Sequence, residues 1–361
     1  MVKLCKLLLQ NPGRSFQFLY TFTVQMLLIG LRAILLPGLP HYQSLRLRLH
    51  RAYWSSSSYC FPELIHRLPV TDCPLARARR VGDKFSGYVI PGTAELSVTP
   101  DDKRQRCIVI YAHGGGYARG EARMYLNYMD RWIAGAAQEG LELVFLSVEY
   151  PLTHQAPQPA QQQAFLQAYQ YVLGCGISPS KIVFMGDSAG DTDSRADKQT
   201  VTGGLCLLSC LAAKQNNFPQ PAGTVLISPW MDMSLKAFEG GNALVETDYI
   251  VGANATVPTF VDAWLDGESG NSPRVNPLSC APAAFSGLGP VLALAGGGEF
   301  ALQEGKDLAA LLSKAGVRHH LQVEWGQMHL YGLGSAWVDP TVRRNTDGMI
   351  YRWMLDCVSD A

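Results

Sequence analysis

Residues 182–190 read Ile-Val-Phe-Met-Gly-Asp-Ser-Ala-Gly, and this stretch decides the fold. The apolar run 182–185 is typical of a short buried strand, and the pentapeptide Gly-Asp-Ser-Ala-Gly follows it directly. Glycines on both sides of a serine relieve crowding in a sharp turn from a strand into a helix, so the hydroxyl of Ser188 is exposed at the tip. The pattern therefore predicts a nucleophilic serine at the end of a strand.

A second glycine-rich turn, residues 113–116 (His-Gly-Gly-Gly), follows the apolar run 107–112. Three consecutive glycines leave backbone N–H groups free to point at a ligand, and they let the main chain approach an oxyanion closely. A phosphate-binding loop is the alternative, but such a loop ends in Lys followed by Ser or Thr, which this turn lacks. Together the two turns favour an oxyanion hole beside a nucleophilic serine.

Around these turns, short apolar runs alternate with helix-like stretches. The strand-like runs are residues 107–112, 143–148, 182–185, 224–227, 291–295 and 321–325, and the helix-like stretches are 158–173, 204–214, 301–315 and 342–357. This alternation predicts an α/β fold with a mainly parallel sheet covered by helices on both faces. Right-handed crossovers place the carboxyl ends of all parallel strands at one edge, where we expect the active site.

The composition excludes several other classes of protein. The chain has 361 residues, of which 47% are hydrophobic, and its 30 Lys and Arg balance 30 Asp and Glu. A net charge of zero gives no basic field for nucleic acid. The nine cysteines include no C-x-x-C pair, which argues against structural zinc, and most are expected to be small core residues.

The two glycine-rich turns resemble those of the hormone-sensitive-lipase-like group of α/β-hydrolases, which includes microbial carboxylesterases and arylacetamide deacetylases. Residues 148–152 (Val-Glu-Tyr-Pro-Leu) and 227–232 (Ile-Ser-Pro-Trp-Met-Asp) resemble the intermediate blocks of that family. The resemblance extends from about residue 108 to the carboxyl terminus. It implies a mostly parallel, eight-stranded sheet with helices on both faces and a cap, and hydrolysis of lipophilic esters without a metal or organic cofactor.

The resemblance also implies that an acid and then a histidine follow the serine. Glu299 comes after a glycine-rich turn behind the run 291–295, where the family carries its acid, so it is the predicted acid. It would hold the histidine tautomer and stabilise the imidazolium. Two rivals, Glu304 and Asp307, fall where a surface helix would carry solvated charges.

His329 follows the run 321–325 and resembles the family's His-Gly-Phe site, with Leu330 in place of the glycine. It would take the proton of Ser188 and return it to the leaving alcohol. His319 and His320 are expected at the start of the same strand, which is the wrong end for catalysis.

Further residues complete the predicted site. The oxyanion donors would be the N–H groups of Gly114, Gly115, Gly116 and Ala189. Asp187 is interpreted as support for the turn, not as the acid of the triad. Tyr117 and Trp230 have two open interpretations, as lining of the acyl or alcohol pocket and as core packing.

The chain departs from the family pattern after Gly190. Twelve polar residues, 191–202, stand before residues 203–208, which resemble the expected helix. This insertion is either a surface excursion or a wrongly translated intervening segment. In both cases it could displace the helix amino terminus that stabilises negative charge near the nucleophile.

The first 100 residues carry no diagnostic motif. Residues 15–31 are uncharged and apolar, and the apolar character continues to residue 36, which predicts a helix that is either a membrane anchor or a cap. We therefore expect three parts: residues 1–40 with this helix, an irregular lead-in or cap at 41–100, and a hydrolase domain at 101–361. An inserted cap lobe is expected at about 229–286.

The sequence as a whole predicts a serine hydrolase that cleaves short acyl groups, such as acetyl, from a lipophilic alcohol. The open alternatives are a lipase for longer acyl chains and a non-catalytic receptor for a small ligand on the same fold. The expected location is either a membrane, such as that of the endoplasmic reticulum, or the cytoplasm. The oligomeric state is not predicted.

Overall fold

The computed structural model describes residues 8–35, 43–61, 73–97, 105–115, 120–188, 203–238, 247–248, 261–262 and 264–359. Within these ranges one sheet contains β1 Arg79–Val81, β2 Ser86–Ile90, β3 Gln105–Ala112, β4 Leu141–Glu149, β5 Ile182–Asp187, β6 Gly223–Ile227, β7 Val291–Gly296 and β8 His319–Glu324. Their spatial order is β1-β2-β4-β3-β5-β6-β7-β8. The pairs β1–β2 and β2–β4 are antiparallel and all others are parallel, which confirms the predicted α/β-hydrolase sheet.

Helices cover both faces of this sheet. The α-helices of the described residues are α1 Pro12–Leu35, α2 Leu45–Cys60, α3 Leu126–Gln138, α4 Ala160–Gly174, α5 Gly203–Gln215, α6 Pro282–Phe285, α7 Leu302–Lys314 and α8 Pro340–Ser359. Of these, α3 and α8 lie on one face of the sheet and α4, α5 and α7 on the other, whereas α1 packs on α2. Successive side chains of a strand point to opposite faces. Along β3, Ile108 and Ile110 join the core beneath α4, α5 and α7, whereas Val109 and Tyr111 join the core beneath α3 and α8. Burial on both faces explains why the central strands are continuous apolar runs.

The parallel strands bring distant parts of the chain to one edge. β3, β5, β7 and β8 run in the same direction, so the residues after Ala112, Asp187, Gly296 and Glu324 all emerge at their carboxyl ends. His319 and His320 lie at the opposite end of β8, as predicted. The fold therefore gathers the candidate site residues at a single edge.

The prediction of irregular structure between residues 41 and 100 is wrong. The described part of this region contains α2 and the antiparallel strands β1 and β2. β1 is only three residues long and reads Arg-Arg-Val, and β2 contains Ser86 and Gly87, so neither shows a clear apolar period. The sheet thus begins at Arg79, well before residue 101.

Helix α1 packs along α2 through a mixed seam. The Nε of Arg14 donates a 2.7 Å hydrogen bond to the carbonyl oxygen of Cys60, and the ring of Phe18 lies 6.2 Å from that of Phe61. Gln25 exchanges hydrogen bonds with the hydroxyls of Ser55 and Ser56. The other side of α1 is apolar, and eight of its side chains are more than half exposed: Phe16, Leu19, Tyr20, Leu27, Leu28, Leu31, Ile34 and Leu35.

Two features predicted from the sequence lie largely or wholly outside the described residues. The insertion at 191–202 is one, and most of the middle of the proposed lobe at 229–286 is the other. The division into three parts therefore stays a prediction.

Candidate active site

Ser188 occupies the predicted turn at the end of β5. Its φ is +28°, in the left-handed region, which costs a serine about 1 kcal/mol or more. The turn is held by a 2.9 Å hydrogen bond from the N–H of Ser188 to the carbonyl oxygen of Ile227. A Cβ at Gly186 would lie 2.9 Å from the Sγ of Cys206, so glycine is required there. The surrounding structure thus enforces a strained conformation at the serine.

His329 lies against the serine, across the edge of the sheet. Its Nε2 is hydrogen-bonded to the Oγ of Ser188, although the two residues are 141 positions apart in the chain. The imidazole is 1% exposed and packs beside the ring of Phe300, with the ring centroids 5.0 Å apart. Leu330 has a φ of +65°, the conformation for which the related family carries glycine.

Glu299 lies behind the histidine. Its Oε2 is 3.7 Å from the Nδ1 of His329, which is an ion-pair distance, and its side chain is fully buried. The same Oε2 accepts a 2.6 Å hydrogen bond from the hydroxyl of Ser228. Ser228 in turn accepts a 2.9 Å hydrogen bond from the N–H of Leu330. Ser228, which was not predicted from the sequence, thus joins Glu299 to the segment that carries His329.

The two rival acids are engaged elsewhere. The Oε2 of Glu304 accepts hydrogen bonds from the N–H groups of Met231 and Asp232, at 2.5 and 2.8 Å. The expectation that Glu304 is a solvated surface charge is wrong, because its side chain is buried on the inner face of α7. Asp307 is exposed and bonds to Gln303, as a surface charge does.

The charges around His329 favour its protonated form. Burial by itself lowers the pKa of an imidazole, but the nearby negative charge of the Glu299 carboxylate, together with the charges of Asp248 and Asp187, outweighs it. The pKa of His329 therefore lies above its ordinary value of 6.5. A base of this kind accepts a proton from a serine more readily.

Asp187 supports the turn, as the sequence analysis proposed. Its buried carboxylate accepts three hydrogen bonds: from the hydroxyls of Tyr111 and Tyr125, both at 2.7 Å, and from the N–H of Gly114 at 2.9 Å. A Cβ at Gly114 would lie 2.3 Å from this carboxylate. This carboxylate ties the glycine-rich turn of residues 113–116 to the serine turn.

The same contact corrects one predicted oxyanion donor. The N–H of Gly114 already donates to Asp187, so the prediction that Gly114 donates to the oxyanion is wrong. Its lack of a side chain instead allows the two turns to approach each other. Gly115 has a φ of +123°, which glycine tolerates, and it stays a predicted donor. Gly116, Tyr117 and Ala189 lie outside the described residues.

Two aromatic contacts stabilise the surroundings of the site. His113 stacks on Tyr150 with the ring centroids 4.3 Å apart, and burial lowers the pKa of His113 to about 4, so it is neutral near pH 7. Trp230 is 1% exposed and packs edge-on against Phe300. Of the two roles considered for Trp230, the structure supports core packing.

No metal site accompanies this arrangement in the part of the chain that the structure describes. Within it, no three His, Cys, Asp or Glu side chains are grouped so that they could hold a metal ion. The chemistry available is that of a hydroxyl, an imidazole and a carboxylate in a row, which suits nucleophilic catalysis.

Comparison with known proteins agrees with this chemistry. A family model described as an alpha/beta hydrolase fold matches residues 109–333. An esterase of Acinetobacter venetianus is 26% identical over 230 residues, which are 64% of this chain and 69% of that protein. A putative acetyl-hydrolase, LipR of Mycobacterium tuberculosis, is 28% identical over 259 residues, 71% of this chain and 76% of that protein.

A solved structure supports the same fold. The hormone-sensitive-lipase homologue EstE7, from a metagenome library, superposes with a TM-score of 0.66 at 22% identity. The alignment covers 86% of this chain and 97% of that one.

Proposed function

Because the chain belongs to the α/β-hydrolase fold family, and within it to the hormone-sensitive-lipase-like group, we propose that it hydrolyses carboxylic esters with Ser188 as nucleophile, His329 as general base and Glu299 as acid. The similarity to an esterase and an acetyl-hydrolase supports ester hydrolysis. The observation that carries the assignment of residues is the hydrogen bond between the Oγ of Ser188 and the Nε2 of His329.

In the proposed reaction, the Oγ of Ser188 attacks the ester carbonyl carbon while its proton passes to the Nε2 of His329. Glu299 stabilises the imidazolium, and the N–H of Gly115 is one donor to the oxyanion. The tetrahedral intermediate collapses when the carbon–oxygen bond to the alcohol breaks and His329 protonates the leaving oxygen. Water, deprotonated by His329, then attacks the acyl carbon. The bond from this carbon to the Oγ of Ser188 breaks, His329 returns the proton to the Oγ, and the carboxylic acid leaves.

We expect the preferred acyl group to be short, such as acetyl, on a lipophilic alcohol. The similarity to an acetyl-hydrolase supports this substrate class. A lipase for long acyl chains is the second candidate, and a series of p-nitrophenyl esters of increasing acyl length separates the two. An esterase loses activity beyond short chains, whereas a lipase gains it.

The decisive experiment compares the wild-type chain with Ser188→Ala on p-nitrophenyl acetate. We expect the variant to lose about 10³-fold or more of kcat, because the acyl-enzyme cannot form. Ser286→Ala, the same change at an exposed serine, is the matched control and keeps full activity. Equal rates for wild type and Ser188→Ala would favour the non-catalytic receptor.

We further propose that the chain associates with a membrane through the exposed side of α1. This helix is long and apolar enough to cross a bilayer, and only 6% of its most apolar 18-residue stretch is buried. The opposite side of α1 packs against α2, and there Arg14 and Gln25 donate hydrogen bonds to Cys60 and Ser56. Contact of the apolar side with lipid therefore leaves the seam intact.

A further inference from the structure

The residue pair Thr247–Asp248 lies between the two loops that carry the acid and the base. The carboxylate of Asp248 is 2% exposed and bridges these loops. Its Oδ2 accepts a 3.1 Å hydrogen bond from the N–H of Phe300, directly after Glu299. Its Oδ1 accepts a 3.3 Å hydrogen bond from the N–H of His329 itself. One side chain thus contacts the backbone of both loops.

Thr247 fixes this bridge from the other side. Its hydroxyl donates a 2.8 Å hydrogen bond to the carbonyl oxygen of Gly298, directly before Glu299. Its own carbonyl oxygen accepts a 2.8 Å hydrogen bond from the Nε2 of Gln43, which lies ahead of α2. The pair is therefore attached to the acid loop on both sides of Glu299 and to the amino-terminal region.

The bridge matters because sheet pairing does not extend to the catalytic groups. The last paired residues of β7 and β8 are Gly296 and Glu324, so Glu299 and His329 both lie in loops beyond the ladder. The 3.7 Å separation of their side chains is therefore set by contacts outside the paired strands, among them the hydrogen bonds of Ser228 and of Asp248. A shift of about 1 Å in such a separation can cost 10²-fold in rate.

We propose that Asp248 is a positioning residue, which holds Glu299 and His329 at their working separation and adds a negative charge beside the imidazole. This inference rests on the triad proposed above. Among the described residues, the negative charges of Glu299 from the loop after β7, Asp248, and Asp187 from the end of β5 all act on His329. Removal of any one of them reduces the stabilisation of the imidazolium.

The test is Asp248→Asn in the full chain, assayed on p-nitrophenyl acetate across pH. Asparagine has one acceptor oxygen, so one loop is released, and its amide is neutral. We expect kcat to fall about 10- to 100-fold with a smaller change in KM. We also expect the acidic limb of kcat/KM to move to lower pH, since the pKa of His329 falls when a nearby negative charge is removed. Asp248→Glu, which keeps the charge, should restore the limb.

The matched control is Asp307→Asn, which neutralises a carboxylate on the exposed side of α7. It should leave kcat and the position of the acidic limb unchanged. If Asp248→Asn does not fold, Thr247→Val is used instead. We expect this variant to lose kcat several-fold while the acidic limb of its pH profile stays where it is in wild type. The inference would be overturned if folded Asp248→Asn kept the wild-type kcat and the wild-type acidic limb of the pH profile. A wild-type kcat in Thr247→Val would also overturn it. Full activity of Ser188→Ala would instead overturn the triad.

Discussion

At the residue scale, Ser228 explains how this chain accommodates its departure from the family pattern at Leu330. Leucine in the left-handed region is strained, yet its N–H donates to the hydroxyl of Ser228, which also donates to Glu299. Ser228 has a positive φ of its own, +47°, at the end of β6. Because this buried hydroxyl donates to the acid and accepts from the N–H of Leu330, it fixes the strained loop to the acid.

Glu299→Gln tests the electrostatic part of the site. Glutamine keeps the size of the side chain but removes the charge that faces the Nδ1 of His329, so we expect kcat to fall about 10³-fold or more. The carboxylate raises the pKa of His329, and the reaction needs the neutral imidazole. The acidic limb of the pH profile should therefore move to lower pH even as the maximum rate falls.

The matched control for this variant is Glu139→Gln at the exposed end of α3, which should behave as wild type in both respects. Full activity of Glu299→Gln would remove Glu299 from the triad.

At the scale of elements, α7 connects the core to the segment after β6. Glu304 lies on its buried face with Gly305, Leu308 and Leu312, and it holds the backbone of Met231 and Asp232. The helical spacing of these positions was readable in the sequence and could have predicted an inward side chain. What the spacing could not show is that two backbone N–H groups lie where they donate to the carboxyl group of Glu304.

Glu304→Gln tests the pH dependence that this burial creates. Burial raises the pKa of Glu304 to about 8 from 4.5, so between these pH values the folded chain holds a proton that the unfolded chain has lost. The free energy of unfolding should therefore decline as pH rises through this window. Glutamine cannot titrate, and its oxygen can accept the same N–H groups, so Tm measured from pH 5 to pH 8 should decline less in the variant.

Asp307→Asn on the same helix should leave the pH dependence of Tm as in wild type, because Asp307 is exposed. Parallel Tm curves for wild type and Glu304→Gln would contradict a protonated Glu304 at neutral pH.

At the scale of the whole molecule, the central strands and the position of the serine turn followed from the sequence because buried parallel strands are continuous apolar runs. The edge strands β1 and β2 could not be predicted from the sequence, because they are short and partly polar. The predictions of Glu299 as the acid and His329 as the base came from resemblance to a family. Ser228 and Asp248 were missed, since hydrogen bonds between loops distant in sequence leave no local pattern.

The proposed contact of α1 with lipid can be tested on the whole chain with vesicles. Replacement of Leu27, Leu31 and Ile34 by serine removes exposed apolar surface without touching the seam, so flotation with phosphatidylcholine vesicles should be lost while hydrolysis of p-nitrophenyl acetate persists. Leu75→Ser, at a leucine that is 75% exposed but outside α1, should still float. Equal flotation of the triple variant would contradict a lipid contact at this surface.

The long separation in sequence between the proposed nucleophile and its proposed base has a consequence for folding. Ser188 and His329 meet only after β5, β6, β7 and β8 have assembled in register. We therefore expect a partly assembled chain to be inactive on esters, not merely slower. Recovery of hydrolysis after dilution from urea then reports completion of this half of the sheet, and its time course can be compared with the earlier return of helical circular dichroism.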